Sequence, residues 1–231
     1  MDPGLFPLAA AAGYGEARMA ILANNLANVN TPGYKADQVS FSEVLDQATG
    51  LPSITAGQYV EDTPGPMEQT ANPLDVAIQG DGYFAVDTPD GRRFTRDGAF
   101  QLSGDGTLVT SAGNPVLGTG GPILIDTQAG PVTIGANGKV WVDGSEVDTL
   151  QVVTFPAGSP PAKVGGNLYD GTGDTPVETP RLVSGAVEKS NVSPILEMSR
   201  MIEIARGYEA YQKLVQTLDQ TAGQTNDVGT V

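Results

Sequence analysis

The side chains that could do chemistry in this chain are carboxylates, hydroxyls and a few cations, because its 231 residues include no cysteine and no histidine. Thiol catalysis, disulfides, Cys/His metal sites and a Ser-His-Asp triad are therefore excluded. Two carboxylates could still act as acid and base, but no spacing in the sequence singles out a pair. We therefore predict no catalytic, cofactor-binding or metal-ligating residue, and a protein that is not an enzyme.

Many of the carboxylates occur in Asp-Gly pairs, at Asp81, Asp90, Asp97, Asp105 and Asp143. Clustered carboxylates are oxygen ligands for calcium. No EF-hand spacing is present, however, and Asp-Gly is a dipeptide typical of tight turns. We favour turns, with calcium binding as the alternative.

Arg92, Arg93 and Arg96 form the one basic cluster in a chain whose net charge is -15. They are candidates for a charged contact with a neighbouring subunit, and ion pairing with nearby acids such as Asp97 is an equal alternative. The acidic balance argues against nucleic acid or an anionic membrane as a partner. No apolar run is long enough to span a membrane, and no basic segment precedes the first apolar run, so we expect neither membrane insertion nor a cleaved Sec signal.

Apolar and small residues recur at alternating spacings of three and four near both ends of the chain, which is a heptad seam. The two seams are Leu8, Ala12, Gly15, Met19, Leu22, Leu26 and Val29, and Met201, Ile204, Tyr208, Tyr211, Val215, Leu218 and Ala222. The pattern predicts one helix that Pro32-Gly33 ends and another that Ser193-Pro194 begins and Gly223 ends.

The asparagines near the end of the first seam lie off it, so their amides could bond a second neighbouring helix; a fraying helix end is the alternative. Interior Gly13 and Gly15 weaken this helix. We therefore expect residues 1–35 and 194–231 to form a coiled-coil layer that is disordered in the monomer. The candidate assembly interface is Leu8, Ala12, Met19, Leu22, Asn24, Asn25, Leu26, Asn28, Val29, Met201, Ile204, Tyr208, Tyr211, Val215 and Leu218.

Between the helices the sequence predicts an α+β chain with a central all-β domain, an irregular sandwich or barrel. Residues 36–71 are interpreted as an extended connector with a short helical turn near Phe41, 72–180 as the β-rich body and 181–193 as a return segment. Asn137-Gly138 is a strong hairpin signal. Residues 158–180 are rich in Gly, Pro and Asp and are expected to be loops.

Four segments resemble the bacterial flagellar rod and hook proteins and follow the order of that family. They are Leu22–Lys35, Asn72–Phe84, Phe94–Phe100 and Ser190–Val192. The resemblance implies a structural subunit of the axial shaft of the flagellar basal body, which crosses the periplasm. It implies paired terminal helices as an inner tube, an outer β domain and export through the flagellar type III apparatus without a cleaved signal. The implied partners are other rod proteins and copies of the same chain.

The segment Gly185–Pro194 is most similar to the proximal rod members of this family. Distal rod members and other axial proteins remain the alternative within the family. An extracellular β-rich binding module is the alternative from another class; it would explain the β body but not the two terminal seams.

Overall fold

The computed structural model describes residues 5–45, 52–126 and 129–228. Within these residues, helices α1 (Leu5–Ala27) and α2 (Pro194–Val228) flank a β-rich region, which confirms the predicted helical ends and β centre. The strands between them are β1 (Asp37–Leu45), β2 (Pro52–Val60), β3 (Met67–Gln69), β4 (Val76–Ile78), β5 (Tyr83–Thr88), β6 (Gly91–Thr95), β7 (Phe100–Leu102), β8 (Leu108–Thr110), β9 (Leu117–Gly118), β10 (Gly121–Pro122), β11 (Val132–Ile134), β12 (Lys139–Val142), β13 (Ser145–Thr149), β14 (Val152–Thr154), β15 (Ala162–Gly165), β16 (Leu168–Asp170), β17 (Thr175–Pro176), β18 (Leu182–Ser184) and β19 (Ala186–Glu188).

Both helices end at other residues than the sequence predicts. α1 ends at Ala27, and a turn follows in which the Thr31 amide donates to the Asn28 carbonyl at 3.1 Å. Asn is a poor residue for a helix interior, so the asparagine-rich segment leaves the helix before Pro32. α2 continues through Gly223 to Val228. An interior glycine costs a helix about 1 kcal/mol, which this helix tolerates.

The first of two compact units comprises Met1–Ala27, Asp37–Glu61 and Val192–Val231. In it α1 and α2 lie against each other in antiparallel directions, since Asn25 bonds Glu197 while a Cβ at Gly15 would lie 3.7 Å from Ile204. Strands β1 and β2 form a hairpin along their whole length, and β1 contacts α1. The predicted helical turn near Phe41 is therefore wrong, because the backbone there pairs with β2.

The second unit comprises Asn28–Ala36 and Asp62–Asn191 and contains the β body. Its largest sheet has six strands in the order β15-β16-β6-β5-β14-β17, and β11-β12-β13 form a three-stranded sheet. As predicted, Asn137-Gly138 turns the chain between β11 and β12, with Gly138 at φ +84°. The expectation of loops over 158–180 is wrong, because β15 and β16 join the six-stranded sheet; their polar residues gave no alternating pattern.

A single cluster of buried apolar side chains forms the core of the second unit, with β5 at its centre. Phe84 and Val86 of β5 are fully buried, and Phe84 meets Phe100 edge to face at 5.0 Å between ring centroids. The other core residues are Val76, Ile78, Leu108, Val116, Ile123, Ile125, Ile134, Val140, Val142, Leu150, Val152 and Leu182. The core includes Val76 and Ile78 of β4, and Arg96 lies one residue after the end of β6.

Candidate functional site

Glu188 of β19 is the centre of a buried ion-pair cluster in the second unit. Its Oε1 accepts from Lys35 Nζ at 2.7 Å, and its Oε2 accepts from Arg96 Nε at 2.8 Å. The three side chains are between 1% and 4% exposed. Burying charges costs several kcal/mol per ion unless they are paired and hydrogen-bonded, so the remaining polar atoms of the cluster decide whether it is stable.

Backbone groups satisfy those remaining atoms. The Gly65 amide donates to Glu188 Oε1 at 3.0 Å, and Lys35 Nζ donates to the Thr63 carbonyl at 2.9 Å. The Arg96 guanidinium donates to the carbonyls of Gly82 and Gly80 at 2.5 and 2.6 Å. The cluster therefore ties three separate parts of the chain to one carboxylate.

The Glu188 carboxylate is held in its charged form. Burial alone would raise its pKa. The charge of Arg96 and hydrogen bonds from Lys35, the Gly65 amide and Arg96 together outweigh that effect and lower the pKa below its ordinary 4.5. A general acid near neutral pH needs the opposite shift, so this carboxylate is a structural anchor rather than a catalytic group.

The cluster joins all four sequence segments that resemble the flagellar family. Lys35 ends the first segment, Gly80 and Gly82 belong to the second, Arg96 to the third, and Glu188 lies two residues before the fourth. The sequence alone did not predict that these segments meet at one ion-pair cluster. The one signal that could have indicated it is a charged residue inside or beside three of the segments.

Arg96 was a candidate for a charged contact with a neighbouring subunit, and this prediction is wrong. The side chain is buried, and its guanidinium donates hydrogen bonds to Glu188 and to two carbonyls of its own chain. Arg92 and Arg93 are partly exposed and pair with Asp174 and Asp170 at 3.0 and 3.5 Å. All three arginines pair with carboxylates of the same chain, but the partners are distant in sequence and do not include the nearby Asp97 of the alternative.

The Pro-Gly-Tyr turn before Lys35 depends on glycine. Gly33 has φ +67°, and its amide donates to the Glu188 carbonyl at 2.7 Å. A Cβ at Gly33 would collide with the backbone of Arg96. Tyr34 is buried beneath Lys163, whose Nζ lies 3.6 Å from the ring centroid and donates to the Lys35 carbonyl at 2.9 Å.

In the first unit, Asn25 joins the end of α1 to two other elements. Its buried Nδ2 donates to the Asp37 carbonyl at 2.9 Å and to Glu197 Oε2 at 3.4 Å, while its Oδ1 accepts from the Asp37 amide at 2.9 Å. Glu197 also pairs with Arg200 at 3.0 Å. Asn25 was predicted to bond a second neighbouring helix, but its amide bonds α2 of the same chain, the helix that also lies against Gly15 of the seam.

The other candidate interface residues differ widely in exposure. Leu22 is 4% exposed, whereas Asn24 is exposed and Tyr208 is 39% exposed. Asn28 and Val29 lie beyond α1, in the second unit. The half-buried members of the set in the helices are Met19, Leu26, Met201, Ile204, Tyr211 and Val215. The side chains of Leu8, Ala12 and Leu218 lie outside those that the structure describes.

Helix α2 buries very little of itself. Along residues 194–217, where its side chains are described, Glu197 is the one buried side chain. The 35 residues of α2 span about 52 Å at 1.5 Å per residue. Over the side chains that the structure describes, α1 therefore leaves most of α2 exposed.

Within the described residues, no group of three or more His, Cys, Asp or Glu side chains is placed to hold a metal ion. In the same part of the chain, no helix combines the length and apolarity needed to cross a membrane. Four of the six Asp-Gly pairs of the chain, which include Asp170-Gly171, have their glycine at positive φ, as is typical of tight turns.

Three family models match the chain in order. Residues 16–35 match "Flagella basal body rod protein", residues 77–142 match "Flagellar hook protein FlgE/F/G D1 domain", and residues 183–228 match "Flagellar basal body rod FlgEFG protein C-terminal". The matched regions include Lys35, Arg96 and Glu188, and also Asn25 and Glu197.

Proteins with these names are similar to the chain over nearly their whole length. The flagellar basal-body rod protein FlgF of Caulobacter vibrioides is 40% identical over 214 residues, 87% of this chain and 86% of that protein. FlgF of Mesorhizobium japonicum is 35% identical over 226 residues, 92% and 90% of the two chains. The flagellar basal-body rod protein FlgG of Bacillus subtilis is 34% identical over 239 residues, 89% and 90% of the two chains.

Proposed function

Because the chain belongs to the flagellar basal-body rod protein family, we propose that it builds the rod by pairing its terminal helices with those of neighbouring subunits as a coiled coil. It is a FlgF-like structural subunit of the flagellar basal body, not an enzyme, and it assembles with other rod components. The proximal part of the rod is its place, with a FlgG-like distal position as the alternative.

The observation that supports helix-mediated assembly is the exposure of α2. Along residues 194–217 it buries one carboxylate and no apolar side chain, while Met201, Ile204, Tyr211 and Val215 are half-buried and Ile204 lies near Gly15 of α1. Most of the stability of a protein helix comes from burying an apolar face. Subunits packed on both sides of this two-helix layer would supply that burial.

The rest of the subunit would form the outside of the rod. We propose that the β body, 72–180, is an irregular sandwich or barrel outside the helical layer, with 36–71 as connector and 181–193 as return segment. Asn25 would then act within each subunit, by fixing α1 on α2 and β1, and would set the register between subunits indirectly.

The helices would be disordered until partners are available. Fixing the backbone of 50 residues costs on the order of 50–100 kcal/mol of conformational entropy. A chain with loose ends suits export in an unfolded form through the flagellar type III apparatus, without a cleaved Sec signal and without membrane insertion. The shaft that it joins would cross the periplasm.

An extracellular β-rich binding module is the alternative from another class. It would account for the β body but leaves two long helices, with half-buried seams, without a role.

Complementation of a strain that lacks this chain tests the proposal. The full chain should restore motility and complete rods in isolated basal bodies, and Ile204→Asp should not, although the β body of that variant unfolds at the same denaturant concentration. Glu203→Gln, at the exposed neighbouring position of α2, is the matched control and should restore rods. Complete rods without the chain, or with Ile204→Asp, would overturn the proposal.

A further inference from the structure

We infer that two outer helix faces join copies of this chain. One is a stripe on α2 that consists of Ile195, Met198 and Ile202. In the assembly it lies antiparallel along a stripe on α1 of a second copy, which consists of Glu16, Ala20, Ala23 and Ala27. The inference rests on the proposed function, in which the helices mediate assembly. It specifies which helix faces meet and in which register. These outer faces differ from the heptad seams, which meet within one chain.

The α2 stripe consists of three large apolar side chains that are exposed, among those of the helix that the structure describes. Ile195 is 75% exposed, Ile202 55% and Met198 47%. At 100° per residue, these three lie on the side of α2 away from Glu197 and Ile204, which face α1 of the same chain. Three large apolar side chains on one outer face are a typical contact surface.

The α1 stripe has the complementary shape. Glu16, Ala20, Ala23 and Ala27 are all exposed, and their spacing of four, three and four places them on one face. That face is opposite Asn25, which contacts α2 of the same chain. Three alanines form a flat surface, against which the backbone of another helix and its large side chains can pack closely.

The two stripes match in length and in charge. Ile195 and Arg206 are eleven residues apart on α2, and Glu16 and Ala27 are eleven residues apart on α1. An antiparallel arrangement with Ile195 opposite Ala27 therefore places Arg206 opposite Glu16. Both charged residues are exposed, and neither makes an ion pair with another residue that the structure describes.

The contact inside one chain follows the same register. Asn25 lies two residues before Ala27, and its partner Glu197 lies two residues after Ile195. A second copy of α1 on the outer face of α2 would thus repeat the offset already present on the inner face. Each α2 would lie between its own α1 and that of a neighbour.

The two stripes differ from each other, so the contact is heterologous. After one such contact, the joined pair keeps one free stripe of each kind, an α1 stripe on one copy and an α2 stripe on the other. Such contacts extend into open helical filaments rather than closing as a twofold dimer. This outcome is the geometry that a rod requires.

Disulfide trapping tests the register, since the chain has no cysteine of its own. The variant with Glu16→Cys and Arg206→Cys is expressed in the strain that lacks the chain, and its basal bodies are oxidised and run on a non-reducing denaturing gel. A disulfide can form because the proposed register brings the two Cα atoms close together. Bands at multiples of the 23.8 kDa mass are therefore expected. These bands should be at least about fivefold stronger than those of either single-cysteine variant. Rods that contain the double variant but no such bands would overturn the inference.

Charge reversal decides the question if the double-cysteine chain fails to enter rods. Glu16→Arg and Arg206→Glu should each lower incorporation into rods about two- to fivefold, as expected for an exposed ion pair, and the combined variant should restore it. A combined variant that is no better than the single ones would overturn the inference.

A matched pair of α2 variants tests the apolar stripe. Ile202→Glu should lower incorporation at least about tenfold. Leu214→Glu, which is equally exposed at 50% but about 120° around the helix, should leave it nearly unchanged. Equal effects of the two variants would overturn the assignment of this face. A wild-type chain that does not enter rods would instead reject the proposed function itself.

Discussion

Lys35 and Glu188 are 153 residues apart in sequence, yet their side chains form a buried ion pair of 2.7 Å. Arg96 completes the cluster from a third segment. The pair closes the β body by joining the residues that follow α1 to the residues that precede α2.

Glu188→Gln should lower the free energy of unfolding of the chain by about 3–5 kcal/mol, because it leaves two cations buried without their counter-charge. Chemical denaturation followed by circular dichroism measures the change. Glu68→Gln is the matched control. Glu68 pairs with Lys189 at 2.7 Å, but both side chains are exposed, so the loss should be at most about 1 kcal/mol. Equal losses in the two variants would contradict the account.

The Glu188 cluster should make the chain sensitive to acid. Its folded-state pKa lies below the ordinary 4.5, so its stabilisation is complete above about pH 4.5 and is lost as the pH falls through the folded value. The difference in unfolding free energy between wild type and Glu188→Gln should therefore shrink between pH 5 and pH 3, roughly. A difference that stays constant over this range would be inconsistent with an ionised, salt-bridged Glu188.

Asp97 should show the opposite pH dependence. Burial raises its pKa above 3.8, with the charge of Asp75 acting in the same direction, although hydrogen bonds from Ala99 and Ser111 partly offset both effects. Ionisation of Asp97 therefore destabilises the fold as the pH rises through its folded pKa. Asp97→Asn keeps an oxygen for the Ala99 amide and should gain stability relative to wild type as the pH is raised from about 3.5 to 7. A relative loss over that range would refute the prediction.

Gly33→Ala should disrupt the turn between α1 and Lys35. The new Cβ would meet the Arg96 backbone at a position that already has φ +67°, so a loss of several kcal/mol, or failure to fold, is expected. Gly80→Ala is the control for the dihedral angle alone. Gly80 has φ +106°, but a Cβ added there would have no neighbouring atom within 4 Å, so the loss should be about 1–3 kcal/mol. Thermal unfolding of the two variants separates the loss caused by the steric collision at Gly33 from the loss caused by a positive φ angle alone at Gly80.

Asn25→Leu should impair rod assembly and leave the β body folded. The substitution removes the partner of the Asp37 backbone and of Glu197, and each buried polar group left without a bond costs about 1–3 kcal/mol. Asn24→Leu makes the same change at the exposed neighbouring position and should impair rod assembly less. Incorporation of Asn25→Leu into rods at the wild-type level would reject a role for this amide in assembly.

The sequence predicted the local elements well and the long-range contacts poorly. Periodicity located both helices, and Asn137-Gly138 located the turn between β11 and β12. The hairpin β1–β2 was missed, because it is defined by the pairing of its two strands, which the sequence of neither strand shows by itself. Arg96 looked like a surface cation, because its burial depends on the pairing of β19 with β3, which brings Glu188 to it from 92 residues away.

Amide hydrogen exchange, measured by mass spectrometry on the purified monomer and on isolated rods, tests the central claim most directly. The account predicts that residues 5–27 and 194–228 exchange rapidly in the monomer while 72–160 is protected, and that the helices become protected in rods. Helices as strongly protected in the monomer as the β body would contradict it. The helical layer would then be complete in a single chain, and the binding-module alternative would have to be reconsidered.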